Sequence, residues 1–479
     1  MTATVSPEAA PPAGNARRRP RPVWVAVLAA SLPMFMATLD NLVMTTALPV
    51  LRVDLGASVG DLSWFLNAYT LAFASLMLPA AALGDRLGRR RMMVAGLVLF
   101  TLGSLAAGFS STSGQLIAAR ALQGVGGAAI MPLSLALLAD SVPPRLRAAA
   151  IGIWGGVSGL GVALGPVVGG AVVEGLRWEA IFWLNVPVAL VALPLLLLGV
   201  RESRGGRTHV DVVGTVLLGG AVLSGIWGVV HGNDDGWSDP VVVTSLALGV
   251  LLLPVYVLHA RRAGDRAVLP LRLFGHRGFA SANVIGLFFS LGMFGAVFLL
   301  SQYLQVVQGY SPFEAGLRTL PWTAAPMLVA PVAGAVAPRV GVRALLVAGL
   351  AMQTASLVWF AWLTEAGSTY GAFLPALVLA GVGMGLTFAP SATAVLDGLP
   401  DTDFAVASSA NSTLREFGVA LGVAVLTAVF LGAGGDVTPT GYDGAIGPAL
   451  LVGAAAVAVG LVAALAAPGR PSRGGPVRA

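Results

Sequence analysis

The chain contains neither cysteine nor lysine. Without thiols it can form no disulfide, use no thiol nucleophile and offer no Cys ligand to a metal. Charge of either sign is scarce, with 28 basic and 22 acidic residues among 479. The four histidines (His209, His231, His259 and His276) show no metal-ligand spacing. No Walker A pattern occurs, so nothing in the chain provides for ATP drive. Gly-Val-Gly-Gly at 124–127 and Gly-Val-Gly-Met-Gly at 381–385 lie inside apolar stretches with no preceding strand, which excludes a dinucleotide loop. No nucleophile, base and orienting group can be assembled for a hydrolase, so the chain is read as a non-enzyme that needs no cofactor and no metal.

What fills the chain instead is apolar: 56% of residues are hydrophobic and the mean hydropathy is +0.85. A soluble domain does not tolerate that composition. Windows of about 20 apolar residues, enough to cross a roughly 30 Å hydrocarbon core, recur along the sequence. Fourteen are expected, starting near Val23, Trp64, Met92, Gln115, Ala148, Ile181, Val212, Val241, Phe279, Ala315, Ala344, Ala372, Phe404 and Ala445. In lipid each must satisfy its own backbone, so the fold class is an all-α membrane protein.

Every basic residue is arginine, and 23 of the 28 fall in the N-terminal segment (Arg17, Arg18, Arg19, Arg21), in every second loop, or in the tail after Arg470. Arg52, Arg177 and Arg318 fall on the other side, and Arg120 and Arg415 within spans. The positive-inside rule then places both termini and the basic loops in the cytoplasm. The net charge of +6 is topological and points to the bilayer, not to nucleic acid. Residues 1–22, rich in Pro, Ala and Arg, read as a disordered cytoplasmic tail. A cleavable signal peptide is the competing reading, opposed by the missing small-residue cleavage site and by Asp40 within the apolar run.

The most informative stretch is Gly84-Asp85-Arg86-Leu87-Gly88-Arg89-Arg90-Arg91, a densely charged turn between two apolar runs. Its weakened copy is Ala337-Pro-Arg339-Val-Gly341-Val-Arg343, which has Pro338 where Asp85 would stand. Gly418-Val-Ala-Leu-Gly422 likewise repeats Gly161-Val-Ala-Leu-Gly165, and Gly381-Val-Gly383 repeats Gly124-Val-Gly126 at nearly the same offset. Three ordered matches imply duplication, with spans one to six matching spans nine to fourteen. The expected organisation is a tail (1–22), a six-helix half (23–200), two inserted helices with linkers (201–275), a second six-helix half (276–467) and a cytoplasmic tail (468–479). Parallel repeats of this kind place a substrate site between the halves near the midplane.

These motifs resemble the major facilitator superfamily, and within it the 14-span drug:proton antiporters, over roughly residues 23–470. The resemblance rests on the 84–90 loop, on Leu39-Asp40 through Ala47-Leu48-Pro49, and on Arg120-Ala-Leu-Gln123-Gly124-Val-Gly126. It rests also on Gly161 through Gly165-Pro166 to Gly169-Gly170, similar to the antiporter motif, and on Arg177-Trp178 to Asn185-Val-Pro187. It implies a major-facilitator-type fold, two six-helix halves plus two inserted helices, and a proton-coupled exporter of drugs or antibiotics working by alternating access. Import of a small solute with protons is the alternative, and a non-transporting receptor a more distant one. The expected partners are a small amphipathic substrate, a cation being one form, together with protons and lipid; function as a monomer is expected.

An ionisable residue inside a span is costly and a functional candidate by default. Asp40 lies about 25 Å from the inner face and Arg120 roughly 9 Å from the outer one, at 1.5 Å per residue. Their similar depth makes them candidate partners, with Asp40 carrying a proton or meeting a cation; snorkelling to the interface is the plainer alternative. Ser408, Ser412 and Glu416 share a face, with Asn411 and Arg415 on an adjacent row. Glu416 is favoured as a second proton site, an ion pair with an arginine being the alternative. Met36 and Met44 flank Asp40 on one face and, with Asn411 and Ser412, are expected to line a cavity. Gly84, Asp85, Arg86, Gly88, Arg89 and Arg90 read as a gating latch, and Gly161, Gly165, Pro166, Gly169 and Gly170 as a close helix contact. Acidic Asp397, Asp401 and Asp403 sit awkwardly on the basic side.

Overall fold

The computed structural model describes residues 22–204, 210–232, 235–365, 368–399, 403–442 and 444–469. The N-terminal tail up to Arg21, His209, Asp401 and the tail from Arg470 lie outside them. Among the described residues, fourteen helices are long and apolar enough to cross a membrane. They are α1 (Val23–Leu55), α2 (Val59–Leu87), α3 (Arg89–Gly108), α4 (Ser113–Ser141), α5 (Pro144–Gly175), α6 (Ala180–Gly199) and α7 (Val212–His231). They continue with α8 (Pro240–Ala263), α9 (Arg277–Val306), α10 (Pro312–Thr323 and Ala325–Val340), α11 (Val342–Glu365), α12 (Tyr370–Leu396), α13 (Phe404–Gly432) and α14 (Ile446–Leu465).

Helix ends are set by short local signals. Ser58 and Asp61 form a capping box at the start of α2, and Ser311 and Glu314 form one at α10, which satisfies first-turn N–H groups that have no helical acceptor. Gly88, at φ +120°, makes the one-residue joint between α2 and α3, a backbone state that side chains other than glycine rarely adopt.

The two halves are built alike. In the first, α1 packs on α5, α3 on α4 and α2 on α4; in the second, α9 packs on α13, α11 on α12 and α10 on α12. The repeated glycines sit at matching places. Gly161 and Gly165 meet α1 at Phe35 and Leu42, and their copies Gly418 and Gly422 meet α9 at Leu287 and Leu291. Gly126 lies against Gly96 of α3, and Gly383 against Gly349 of α11. In lipid, where helices gain little from hydrophobic burial against one another, such close backbone approach supplies the dispersion contact that holds them.

The inserted pair lies outside this core. α7 packs on α2 and α13, one helix from each half, through Ile226 and Val230 against Leu71, Ala74, Phe417 and Ala420. α8 packs mainly on α7 and is mostly exposed. On the arginine-rich face, Arg272 donates to both carboxylate oxygens of Asp403 at 2.7 and 2.8 Å. That pairing, with a further one to Asp265, holds the Arg272 guanidinium above its ordinary range. It also accounts for the awkward acidic loop: Asp403 on the basic side is neutralised by an arginine beside it.

Besides the long α2–α13 seam, the halves touch on the face opposite the arginine-rich loops. There Ser301 and Gln305 of α9 donate to the Thr45 and Thr46 carbonyls of α1, each at 3.1 Å. Arg52 donates to Asp436 at 2.7 Å, and the Phe313 N–H to Glu174 at 3.3 Å. Toward the basic face the inner stretches of α5 and α10 part, and Ile153, Leu328 and Val332 are exposed.

Candidate functional site

Between the halves lies a cavity of about 700 Å³, the size of a small-molecule site. Its wall is apolar and adaptable: Met34, Met131, Met327 and Met384, with Phe73, Phe294, Phe388, Trp154 and Tyr69. Thioether side chains repack around ligands of different shape. Helix α1 contributes Ala37, Thr38, Asn41 and Leu42, and α13 contributes Arg415, Glu416 and Val419.

Among the described residues, Arg415 and Glu416 are the only charged groups lining it. Neither has an ion-pair partner within 4 Å among the described residues. One Glu416 oxygen, Oε2, is buried without a hydrogen-bond donor, and the Arg415 Nε has no acceptor. The Arg415 guanidinium lies 4.3 Å from the Phe388 ring centre, a cation–π contact that offsets part of its desolvation. Gly286 of α9 leaves room for the Arg415 methylenes, which a side chain there would strike.

Asp40 lies behind this wall, inside the first half. Its Oδ2 accepts from Arg120 Nη1, while Oδ1 accepts from Asn185 Nδ2 at 2.7 Å and Gln123 Nε2 at 3.2 Å. Gln123 and Asn185 also donate to Ser104, at 2.6 and 3.0 Å. Arg120 gives its Nε to the Phe65 carbonyl at 3.0 Å, and its guanidinium lies 4.5 Å from the Tyr69 ring centre. Tyr69 thus stands between the buried pair and the cavity, touching both.

The α5 glycines divide their contacts. Gly161, Gly165 and Gly169 face α1, whereas Gly170 meets Pro312 and Phe313 of α10, and the Pro166 carbonyl meets Gly316. One helix therefore binds its own half and closes against the other.

At the basic face, Asp85 accepts from Arg89 at 2.8 Å, and Arg89 also reaches Asp140 at the end of α4 at 2.6 Å. Glu202 accepts the backbone N–H groups of Arg90 and Arg91 at 2.9 and 3.2 Å, a carboxylate at the positive end of α3. Arg90 donates to the carbonyls of Leu197 and Val200, and Arg86 is exposed. Gly88 lies against Glu202, and Gly84 against Leu133. These partners belong to the first half or, for Glu202, to the linker just after α6, so among the described residues the loop ties α2, α3, α4 and the end of α6 together.

A model of the Major Facilitator Superfamily matches residues 30–423. The chain belongs to that superfamily. This facilitator is 35% identical over 430 residues to the tetracenomycin C resistance and export protein of Streptomyces glaucescens, covering 89% of this chain and 79% of that one. It is 35% identical over 453 residues to the cephamycin export protein of Amycolatopsis lactamdurans, covering 92% and 93%. Its fold resembles a bacterial homologue of the human lysosomal transporter Spinster, solved in an inward-facing, unoccupied conformation. There the TM-score is 0.64 at 16% identity, over 93% of this chain and 97% of that one.

Several expected cavity residues of the facilitator lie elsewhere. Met36 and Met44 are fully buried in helix packing, because the face of α1 that meets the cavity is the one bearing Met34, Thr38 and Asn41. Asp40 is turned toward Arg120 and Gln123 of α4 and Asn185 of α6 and is not among the residues lining the cavity. Asn411 donates to the Ala282 carbonyl and to Asn283, both at 3.2 Å, beside a minor void on the far side of Arg415. Ser412 is half-buried away from the cavity. Tyr69, Trp154, Ser104 and Glu202 were not singled out as site residues from sequence, and Gln123 and Asn185 only as motif letters. Polar side chains in apolar spans were the available signal for Gln123 and Asn185.

Proposed function

We propose that the chain is a proton-coupled exporter of amphipathic drugs or antibiotics, working by alternating access in a bacterial plasma membrane with both termini cytoplasmic. The reading is carried by one observation: a carboxylate, Glu416, without an ion-pair partner on the wall of an apolar cavity between two halves. It is supported by the cavity's splayed side lying toward the arginine-rich loops, which the positive-inside rule assigns to the cytoplasm. The names of the relatives, resistance and export proteins, point the same way.

Glu416 loads substrate when ionised, balancing Arg415 and leaving the wall neutral overall. Once the halves rock and the cavity faces the acidic exterior, a proton neutralises Glu416 and leaves Arg415 as the only wall charge. A cationic or strongly dipolar substrate then loses its counter-charge and departs, and only this difference in affinity between the states can drive the exchange. Asp40, Arg120, Gln123 and Asn185 keep Tyr69 in place, and the 84–90 loop holds the inner ends of the first half together. The units 23–200, 201–275 and 276–467 act as a monomer, and no cofactor enters the cycle.

The test uses inside-out vesicles with an acidic lumen and a panel of fluorescent lipophilic compounds, following dye accumulation and lumenal pH together. Accumulation accompanied by lumenal proton loss is expected. Glu416→Gln, fixed in the neutral state that releases substrate, should abolish gradient-driven accumulation and weaken loading of a cationic substrate. Full gradient-driven efflux in Glu416→Gln would sink the assignment, and uptake in the opposite direction would identify an importer.

A further inference from the structure

Helix α2 carries Ser63, Asn67, Thr70 and Ala74 at spacings of four, three and four, one face of a helix. That face lies against α13. Ser63 Oγ donates to Thr427 Oγ1 at 3.0 Å near the outer end, and Thr413 Oγ1 reaches the Met77 sulfur at 4.0 Å near the inner end. Two contacts so far apart fix an antiparallel register in which Asn67 stands level with Val423, Thr70 with Ala420, and Ala74 with Glu416. Ala74, Phe417, Ala420 and Ala424 share one apolar cluster, in agreement with that register, and Ile226 and Val230 of α7 cover it from the lipid side.

Asn67 and Thr70 are wholly buried, and among the described residues neither Asn67 amide atom nor the Thr70 hydroxyl has a hydrogen-bond partner. The register shows why: their neighbours across the seam are Val423 and Ala420, which offer no polar atom. Three unpartnered polar atoms on one buried face are a departure that calls for a physical reason, since a buried donor or acceptor left unmade is destabilising. Apolar residues of the same size would fill the seam at no such cost. The stripe runs from the sealed outer face to just over one helical turn from Glu416, about 6 Å along the axis from Thr70.

We propose that Asn67 and Thr70 form the inlet by which protons from the outer side reach Glu416, along the seam between α2 and α13 and apart from the substrate cavity. The proposal rests on Glu416 being the proton carrier. A hydronium from outer-side water yields its proton; the Thr70 hydroxyl takes a proton on one lone pair and releases its own. A new O–H bond forms on Glu416, whose carboxylate becomes a neutral acid, and water is left outside. Asn67 orients the intervening water through its amide and does not itself change protonation. The Ser63 and Thr427 hydroxyls, bonded to each other here, close the outer end and open it by rotating apart.

The experiment uses the full chain, uniformly oriented in liposomes, with a rapid pH drop applied to one side at a time. Protonation of Glu416 is followed by the infrared carbonyl band that Glu416→Gln removes. Thr70→Val and Asn67→Leu, both close to isosteric, should slow protonation from the outer side about tenfold or more, a barrier increase of about 1.4 kcal/mol. Protonation from the basic side, through the splayed cavity, should keep its wild-type rate, and Thr70→Ser should restore the outer rate. Unchanged outer rates in both variants, or equal slowing from both sides, would overturn the inlet while leaving Glu416 as carrier. If Glu416→Gln removed no band, the carrier and the inlet would fall together. Should Asn67→Leu not fold, the contrast between Thr70→Val and Thr70→Ser decides alone.

Discussion

Removing Arg120 alone should cost far more than removing it together with Asp40. The Arg120 side chain is fully buried and that of Asp40 is 2% exposed. Arg120→Met leaves a buried carboxylate held only by the neutral amides of Gln123 and Asn185. Breaking a buried pair from one side costs about 3–5 kcal/mol. Asp40→Leu has the complementary fault, stranding a guanidinium whose remaining acceptors are the Phe65 carbonyl and Gln123. In the double variant no charge is stranded, and buried pairs replaced by apolar groups are often neutral or better. What remains is the loss of an acceptor for Gln123 and Asn185, about 1–3 kcal/mol, part of which Ser104 offsets by accepting from both. The double variant should therefore be more stable than either single one, with a coupling energy of at least ~2 kcal/mol in a double-mutant cycle. The assay is reversible denaturant unfolding of the purified protein in mixed micelles. Additive losses, with the double variant the least stable of the three, would refute the assignment of this stability to charge pairing.

Three further outcomes can be checked. Asp436→Asn removes the charge that Arg52 meets on the outer face; an exposed pair is worth about 0.2–1 kcal/mol, so the outward-open population should rise up to about fivefold. Electron–electron distances between labels at Ile153→Cys and Leu328→Cys, in a chain free of other cysteines, measure this, and an unmoved distribution would remove Arg52 from the outer closure. Gly170→Val places a side chain against the Pro312 carbonyl and Phe313 of α10, so it should bar outer closure and stop transport, whereas Gly175→Ala on the same helix, with nothing nearby, should leave both unchanged. Glu202→Gln takes the charge from the N-terminus of α3 and should cost about 1 kcal/mol of unfolding free energy; no loss would mean that the cap contributes nothing.

The fourteen spans were legible because apolar length is a strong signal, but their ends were not. The second span was expected from Trp64 and the third from Met92, whereas the helices start at Val59 and Arg89. A hydropathy window stops at polar residues, yet Ser58 and Asp61 cap α2 beyond it, and Glu202, distant in sequence, caps α3. Depth was readable as well: counting residues puts Asp40 and Arg120 at a common level, where the structure joins them. Rotation about the helix axis was not. When a span is apolar all round, periodicity does not say which side meets a cavity and which a neighbour, so Met36 and Met44 were placed on the wrong wall and Tyr69 and Trp154 passed unnoticed. The relative slide of α2 and α13, which sets Asn67 and Thr70 above Glu416, depends on contacts across hundreds of residues and leaves no local trace.

A two-halved transporter of this build has two lateral seams facing the bilayer, and here they are unequal. At the seam between α2 and α13, α7 lies across the join and α8 backs it, so lipid chains meet a double wall. At the seam between α5 and α10 no extra helix stands, and toward the basic face those two helices touch sparsely. The molecule is therefore handed with respect to its membrane: a solute dissolved in the inner leaflet finds one shuttered side and one bare side. On the bare side, Ile153, Leu160 and Leu328 are exposed along the edge.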